Sequence, residues 1–366
     1  MKVLYDHQAF SNQQFGGISR YFYELISRFD DTENICNVGA CLSNNDYYNS
    51  SINPNLSSFF PESHFRGKSR IIKYFNQKRS VKNIICGDYD IFHPTYYDTY
   101  FLNYIIDRPF VVTIHDMIHE KFTNDFVEFK IDNKLIYNNK KTLLEKSKKI
   151  IAVSETTKHD IIEIFGIEDN KIDVIYHGNS LIPSENDSVI FGPYILFVGN
   201  RGLYKNFSFF ITTIFHYLLK NNLKLICAGG GDFSLNELKL ISSLGISNNI
   251  IYKKVSSDEI LANYYKHALF FCFPSLYEGF GIPVLESFAC GCPVLLSNAG
   301  SLTEIGGDSA LYFNPKDKHS LDFAFNKILF DEDLRTKLKT KGYSRLKDFS
   351  WDKTYQDHLK LYESAL

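Results

Sequence analysis

Glu278 and Glu286 stand eight positions apart in SLYEGFGIPVLESFACGCP, residues 275–293, with Gly279, Gly281 and Pro283 between them. On one continuous helix that spacing would leave the two carboxylates about 80° apart around the axis. A loop that ends and a helix that begins between them accounts for the pattern better. Pro283 suits the first helical position, VLESFA continues the helix and Cys290-Gly291 closes it. Glu278 is therefore predicted in the loop and Glu286 in the first helical turns, both near a helix N-terminus. The glycines let the backbone come close to a ligand, and free N–H groups at such an end favour an anion. A carboxylate, accepting two hydrogen bonds, can grip a pair of hydroxyls. Phosphate plus diol is the chemistry of a nucleotide sugar. A helix that merely carries acidic residues at its N-terminal end has the same pattern, and this stretch alone does not separate the two readings.

Three more stretches place polar groups after apolar runs. In FVGNRGLYKN, residues 197–206, Arg201 and Lys205 suit a diphosphate, one as a fork and one as a point charge; two solvated surface charges read the same way. In QFGGISRY, residues 14–21, Gly16 and Gly17 precede the amphipathic ISRYFYELISRF. The third glycine of G-x-G-x-x-G is missing, so a dinucleotide turn is a weak reading, and close approach of a ligand or a second lobe fits better. In VVTIHDMIHE, residues 111–120, His115 and Asp116 end a buried strand. His115 and His119 are spaced as metal ligands on a helix, but the pair starts at a strand end without a third ligand. His115 is thus read as a polar, hydroxyl-binding residue. Asp88-Tyr89-Asp90 precedes the strand IFHP and is ordinary turn chemistry. Cys290-Gly291-Cys292 has nothing beside it to complete a metal set. No metal site and no cofactor are predicted.

The elements that must position these groups are short apolar runs alternating with amphipathic stretches. The runs are KVLYD, DIFHP, PFVVTIHD, KKIIAVS, IDVIYHG, YILFVGN, LKLICAGG, IIYKKV, LFFCFPS, PVLLSN and ALYFNP. Most are too apolar for half-exposed strands, which points to parallel sheets covered on both faces and an α/β, doubly wound fold. At 366 residues two domains are expected. The polar, turn-rich SLIPSENDSV, residues 180–189, marks the boundary between domains at 1–180 and 190–348. FSWDKTYQDHLKLYESAL, residues 349–366, reads as a terminal amphipathic helix. Ligands of open α/β sheets sit beyond the carboxyl ends of the strands, so an interdomain cleft is the expected site.

A formal net charge of -2 leaves no nucleic-acid footprint. Seven cysteines, mostly within apolar runs, read as reduced core thiols of a cytoplasmic protein. The start MKVLYDHQAF has no signal-peptide pattern and no run reaches transmembrane length. Residues 64–82, HFRGKSRIIKYFNQKRSVK, carry seven Lys and Arg residues and no acidic one, with Ile71, Ile72, Tyr74 and Phe75 interleaved. Such a segment can lie peripherally on the anionic inner face of a plasma membrane or meet a lipid diphosphate; a solvated basic helix face is the plainer alternative.

Taken together, GGISRY, the strand-end HD, AVSETTKHDI, VIYHGN, FVGNRGLYKN, AGGGDF, the E-x7-E pair of SLYEGFGIPVLES, GCPVLLSNAGSLTEIGGDSALYFNP and FSWDKTY resemble the retaining glycosyltransferases of family 4, which have the GT-B fold. The likeness covers nearly the whole chain and is nearest to bacterial enzymes of O-antigen or capsule synthesis, many of them mannosyltransferases. The resemblance implies two Rossmann-like domains, with a C-terminal helix returning to the N-domain. It implies that Glu286 holds the nucleotide's ribose diol, that Glu278 lies beside the donor sugar, and that the backbone of Phe280, Gly281 and Ile282 meets sugar and phosphate. Lys205 matches the phosphate lysine, Gly17, next to Gly16, the N-domain glycine, and His115 a histidine near the sugar. The family arginine position holds Asn200 here, with Arg201 displaced by one, and His177 stands where asparagine is usual. The implied reaction is metal-independent hexose transfer with retention, from GDP-mannose first and UDP-sugars or dTDP-rhamnose second, to a lipid-linked or oligosaccharide acceptor. A non-catalytic subunit that keeps the nucleotide-sugar site is the rival reading.

Overall fold

The computed structural model describes all residues except 30–32, 50–52, 54, 64, 124, 126 and 184–191, and the side chains of 127–133. Contacts divide the chain into two compact units, Met1–His177 with Trp351–Leu366, and Gly178–Ser350. The division falls just ahead of the polar stretch 180–189, most of which lies outside the described residues.

In the first unit the strands are β1 (Lys2–Tyr5), β2 (Ile35–Val38), β3 (Ile91–His93), β4 (Val111–Ile114), β5 (Lys149–Ala152) and β6 (Ile172–Val174). All pair in parallel, as β2-β1-β3 and β4-β5-β6, and one bridge from Phe92 to Phe110 joins the two sets. β4 is buried along its whole length, as parallel strands covered on both faces must be. Helix α1 (Gly17–Ile26) packs Tyr21, Phe22 and Leu25 on this sheet. The C-terminal helix Trp351–Ala365 adds Trp351, Leu361, Tyr362 and Ala365 to the same core as Val3, Tyr5 and Phe22. β2 has no counterpart among the apolar runs of the sequence.

A chain of hydrogen bonds crosses that core. Tyr5 OH meets Tyr362 OH at 2.9 Å, and Tyr362 OH meets His93 Nδ1 at 2.8 Å. His93 Nε2 lies 2.9 Å from Thr113 Oγ1, which lies 3.1 Å from Tyr21 OH. Tyr21 OH reaches His358 Nε2 at 2.6 Å, and His358 Nδ1 reaches the Thr354 carbonyl at 2.6 Å. One carbonyl orients the whole chain. It can only accept, so His358 Nδ1 carries the proton and, in a neutral ring, Nε2 accepts from Tyr21. Each hydroxyl has a single proton, so Thr113 donates to Tyr21, His93 Nε2 to Thr113, Tyr362 to His93 Nδ1 and Tyr5 to Tyr362.

The arrangement therefore requires neutral imidazoles. Burial pushes the His358 ring down to about 4, and it pushes His93 and His177 well below the usual histidine range, helped by neighbouring rings. The unfolded chain binds these protons below pH 6.5 and the folded unit does not. Stability is thus full above pH 6.5 and is lost as pH falls toward 4. Between pH 7 and 5.5 each of the three should remove about 1 kcal/mol. Trp351, the single tryptophan, is buried in this unit. Its fluorescence in urea titrations at the two pH values should report the loss; an unchanged midpoint would contradict neutral burial.

In the second unit the strands are β7 (Tyr194–Val198), β8 (Lys224–Ala228), β9 (Ile250–Lys253), β10 (Phe270–Phe273), β11 (Val294–Ser297) and β12 (Leu311–Phe313). They form one parallel sheet in the order β12-β11-β10-β7-β8-β9. Phe197, Phe207, Phe210, Phe270 and Phe325 fill its core. Among the described residues no helix is long and apolar enough to cross a membrane. The seven cysteines are free thiols, four of them buried. Asp90 accepts from the Lys2 backbone N–H at 2.7 Å and Asp88 pairs with the Lys2 side chain, so that acidic pair pins the start of β1.

Candidate functional site

In the second unit the chain leaves β10 through a buried loop and enters a helix at Ile282. Gly281 is the N-cap at φ 103°, and a Cβ there would lie 2.9 Å from Leu302 Cδ2. The left-handed turn and the tight approach both select glycine. Glu278 and Glu286 are both buried. Glu278 Oε1 accepts from Lys205 Nζ at 2.7 Å, and the ammonium also lies 4.8 Å from the Phe273 ring and 5.2 Å from the Tyr204 ring. Lys205 ends a tight turn whose Leu203 and Asn206 both have positive φ, 51° and 61°. A bulky residue in that region is strained, and such strain gathers at functional sites. The two loops are tied directly, since Leu276 N–H donates to the Tyr204 carbonyl at 2.7 Å.

Two positions outside the sequence-read set hold this loop. Ser301 Oγ donates to the carbonyls of Glu278 and Phe280 at 3.1 and 2.8 Å. Gly300, at φ 60°, has room for no Cβ, which would stand 2.7 Å from both N and O of Glu278. Glu286 falls in the second turn of the helix Ile282–Ala289 and accepts from Tyr265 OH at 3.1 Å. Burial and then Glu286 raise the Tyr265 hydroxyl well above its usual range, so it stays a donor.

Arg201 is placed differently from the phosphate fork expected of it. Its Nε pairs with Glu237 at 2.8 Å, and its terminal nitrogens donate to the carbonyls of Gly229, Gly231 and Asp232 at 3.2, 2.7 and 2.9 Å. Phe233 lies 4.6 Å from the guanidinium carbon. Four of five donors are engaged within a buried residue. Arg201 therefore braces the glycine loop after β8, where Gly229, Gly230 and Gly231 all have positive φ. Glu237 also completes the capping box of the helix Leu235–Ser243. Arg201→Lys keeps the charge but loses the fork, so it should lower the thermal midpoint nearly as much as Arg201→Ala. Full thermal rescue by lysine would contradict the bracing role.

In the first unit His115 follows β4, with its N–H donating to Tyr97 OH at 2.9 Å. Its ring meets the Tyr21 edge at 5.1 Å and lies near-parallel to His177 at 6.4 Å. Desolvation, with some help from Lys140, pushes it down to about 4 against the opposing pull of Asp116. Lys140 is fully buried, 3.0 Å from Glu120 and 2.9 Å from the Asp116 carbonyl. Gly16 caps α1 and Gly17 begins it. Ser19 N–H near that helix end is taken by Gln13 Oε1 at 3.1 Å. The sequence-read residues thus form two groups, Lys205, Glu278, Phe280, Gly281, Ile282 and Glu286 in one unit and Gly16, Gly17 and His115 in the other.

Residues 15–181 match the family model described as Glycosyltransferase Family 4, and residues 187–345 that described as Glycosyl transferases group 1. The chain belongs to the family 4 glycosyltransferases. This glycosyltransferase is similar to an uncharacterized glycosyltransferase of Methanocaldococcus jannaschii, 26% identical over 76% of each chain. O-antigen chain mannosyltransferase B of Escherichia coli is 26% identical, with 60% of this chain and 61% of that one covered. A Campylobacter jejuni N-acetylgalactosaminyltransferase whose name specifies a diphospho-undecaprenol-linked acceptor is 28% identical over 60% of each. The chain thus spans about three fifths of those two relatives. Anabaena HepE, solved in complex with UDP and glucose, superposes with a TM-score of 0.74 at 15% identity, covering 99% of each chain. That likeness carries the GT-B fold.

Proposed function

We propose that this glycosyltransferase moves a hexose from a nucleotide donor to a lipid-linked or oligosaccharide acceptor of a bacterial surface polysaccharide, with retention at the anomeric carbon. The observation that carries the reading is the Lys205–Glu278 pair at 2.7 Å on the loop leading into the helix that bears Glu286. Glu278 occupies the ammonium as an anion would. A donor diphosphate takes over Lys205 and the helix N-terminus, which together hold the charge that develops as the nucleotide leaves. Glu278, released, accepts from sugar hydroxyls, while Glu286, steadied by Tyr265, takes the ribose diol. The backbone of Phe280, Gly281 and Ile282 lines the sugar and phosphate. By the family likeness, Gly17, next to Gly16, is assigned to the donor phosphate and His115 to the donor sugar. Charge on the diphosphate is met by protein groups, so no metal enters the reading. Arg201 enters as a brace.

GDP-mannose is the donor we favour, supported by the mannosyltransferase relative; UDP-sugars are the alternative, supported by the UDP complex of HepE. A thermal-shift screen against GDP-, UDP- and dTDP-sugars tests the choice, because a ligand of the folded state raises the midpoint with affinity. Product NMR tests the stereochemistry: an inverted linkage rejects retention, and no turnover of any donor favours the non-catalytic subunit.

The acceptor side of the reading draws on helix α2 (Lys68–Cys86), which buries Ile72, Asn76, Ser80 and Ile84. Asn76 and Ser80 are polar and bind the backbone of Leu42 and Gly39. The outward face therefore keeps Ile71, Tyr74, Phe75 and Ile85 exposed beside Arg70, Lys78, Arg79 and Lys82. That face suits peripheral contact with an anionic inner membrane surface from the cytoplasmic side. Salt-insensitive or absent co-sedimentation with phosphatidylglycerol vesicles rejects it.

A further inference from the structure

The C-terminal helix meets the surroundings of His115 at Tyr21. Three separate contacts meet on that side chain. Its hydroxyl donates to His358 Nε2 at 2.6 Å and accepts from Thr113 at 3.1 Å. Its ring stands edge-on to His115 at 5.1 Å and 87°, and edge-on to His177 at 4.9 Å and 81°. Trp351, on the C-terminal helix, lies 5.6 Å from His177 and 6.1 Å from Tyr21. Tyr21 is fully buried, as is His358. A tyrosine tethered at its hydroxyl by two partners and packed by five rings, those of Phe22, His115, His177, Trp351 and His358, has lost its rotamer freedom, so any ring it touches inherits a fixed wall.

We propose that Tyr21 and His358 are positioning residues for His115: the C-terminal helix, acting through the Tyr21 hydroxyl, fixes the aromatic wall that seats the His115 ring. The proposal rests on the reading that His115 meets the donor sugar. The groups facing His115 include Asp116 next to it in the chain, Lys140 from the helix Val127–Lys146, His93 on β3, His177, Tyr97, Tyr21 and the Phe22 ring at 6.0 Å. Tyr21 among them is hydrogen-bonded by its side chain to His358 of the C-terminal helix. Edge-to-face aromatic pairs are favourable beyond the area they bury, so the contact favours one ring orientation over another. Thr113 ties Tyr21 back to β4, the strand that ends one residue before His115. Wall and ring are thus referenced to the same backbone.

The test uses the full chain with 15N-labelled histidine, in the wild type and in Tyr21→Phe and His358→Gln. The His115 resonance is assigned by its loss in His115→Asn. Tyr21→Phe keeps the ring and removes the tether; His358→Gln keeps an acceptor in a shorter, displaced position. In both, the His115 titration midpoint is expected to rise from about 4 by one unit or more as water enters the loosened pocket. The kcat should fall about tenfold with donor KM held within about twofold, as when an interaction made only in the transition state is lost. Tyr5→Phe, at the far end of the hydrogen-bond chain, should lower stability and leave the His115 midpoint where it was. Folded variants with unmoved His115 titration and unmoved kcat overturn the proposal, even if their melting temperatures drop. Should Tyr21→Phe fail to fold, His358→Gln decides on the same two outcomes. The titration arm needs no turnover, so a failure of the glycosyl-transfer reading leaves it intact and recognisable.

Discussion

Lys205→Met is expected to lower kcat by about 10²–10³-fold, the usual cost of removing one donor from a site that stabilises developing negative charge. The ammonium sits between the Tyr204 and Phe273 rings, with side-chain exposure of 14%, and Glu278 is its ion-pair partner at 11%. Little water is at hand to replace it. Methionine preserves the stem and its ring contacts, so the loss isolates the charge. Lys205→Arg restores the charge on a longer, planar group and should recover only part of the rate. Removing the cation also leaves the Glu278 carboxylate buried without its partner, so the donor-free protein should melt lower and a saturating donor should not rescue it. Rates at saturating donor and thermal midpoints with and without donor decide the matter. A decrease under about threefold, smaller than any oxyanion-type donor accounts for, would remove Lys205 from the reaction.

Gly300→Ala should reduce kcat by about 10²-fold, the scale expected when reacting groups shift by about 1 Å. The new Cβ would fall 2.7 Å from the backbone N and O of Glu278, at φ 60°. These are main-chain atoms, so no side-chain rotation relieves the clash and the loop carrying Glu278 must move. Backbone strain of about 1–3 kcal/mol should accompany it. Gly245→Ala is the control, since its φ is 69° and nothing lies within 4 Å of the added carbon. It should cost stability by about 1 kcal/mol and leave kcat alone. Equal kcat effects from the two substitutions would mean that the Glu278 loop is not held by Gly300.

The difference between those glycines could not be read from the sequence. What could be read was local. The turn into the helix after β10 was legible because Gly279, Gly281 and Pro283 constrain their own dihedrals, and the helix indeed runs Ile282–Ala289 with Glu286 in its second turn. Strands such as PFVVTIHD were legible because burial on both faces demands unbroken apolar runs. β2 escaped because Ile-Cys-Asn-Val at a sheet edge is short, half polar and only partly buried. The bracing contacts of Arg201 escaped because its partners, Glu237 and the carbonyls of Gly229, Gly231 and Asp232, lie some thirty residues downstream. The same holds for Lys140, whose burial depends on Glu120, and for Tyr265, whose pairing with Glu286 joins two helices. Charged residue types announce that a partner is needed and leave open which one.

The position of Trp351–Leu366 within the first unit has a consequence for the order of synthesis. The N-terminal half leaves the ribosome first, yet Tyr5, Phe22 and Tyr21 lack their final neighbours until residues 351–366 have been made. The contiguous segment 178–350 has no such wait. The half translated earliest is therefore sealed last, and a chain cut off after residue 350 would carry a complete second unit and a first unit whose core is still open to chaperones and proteases.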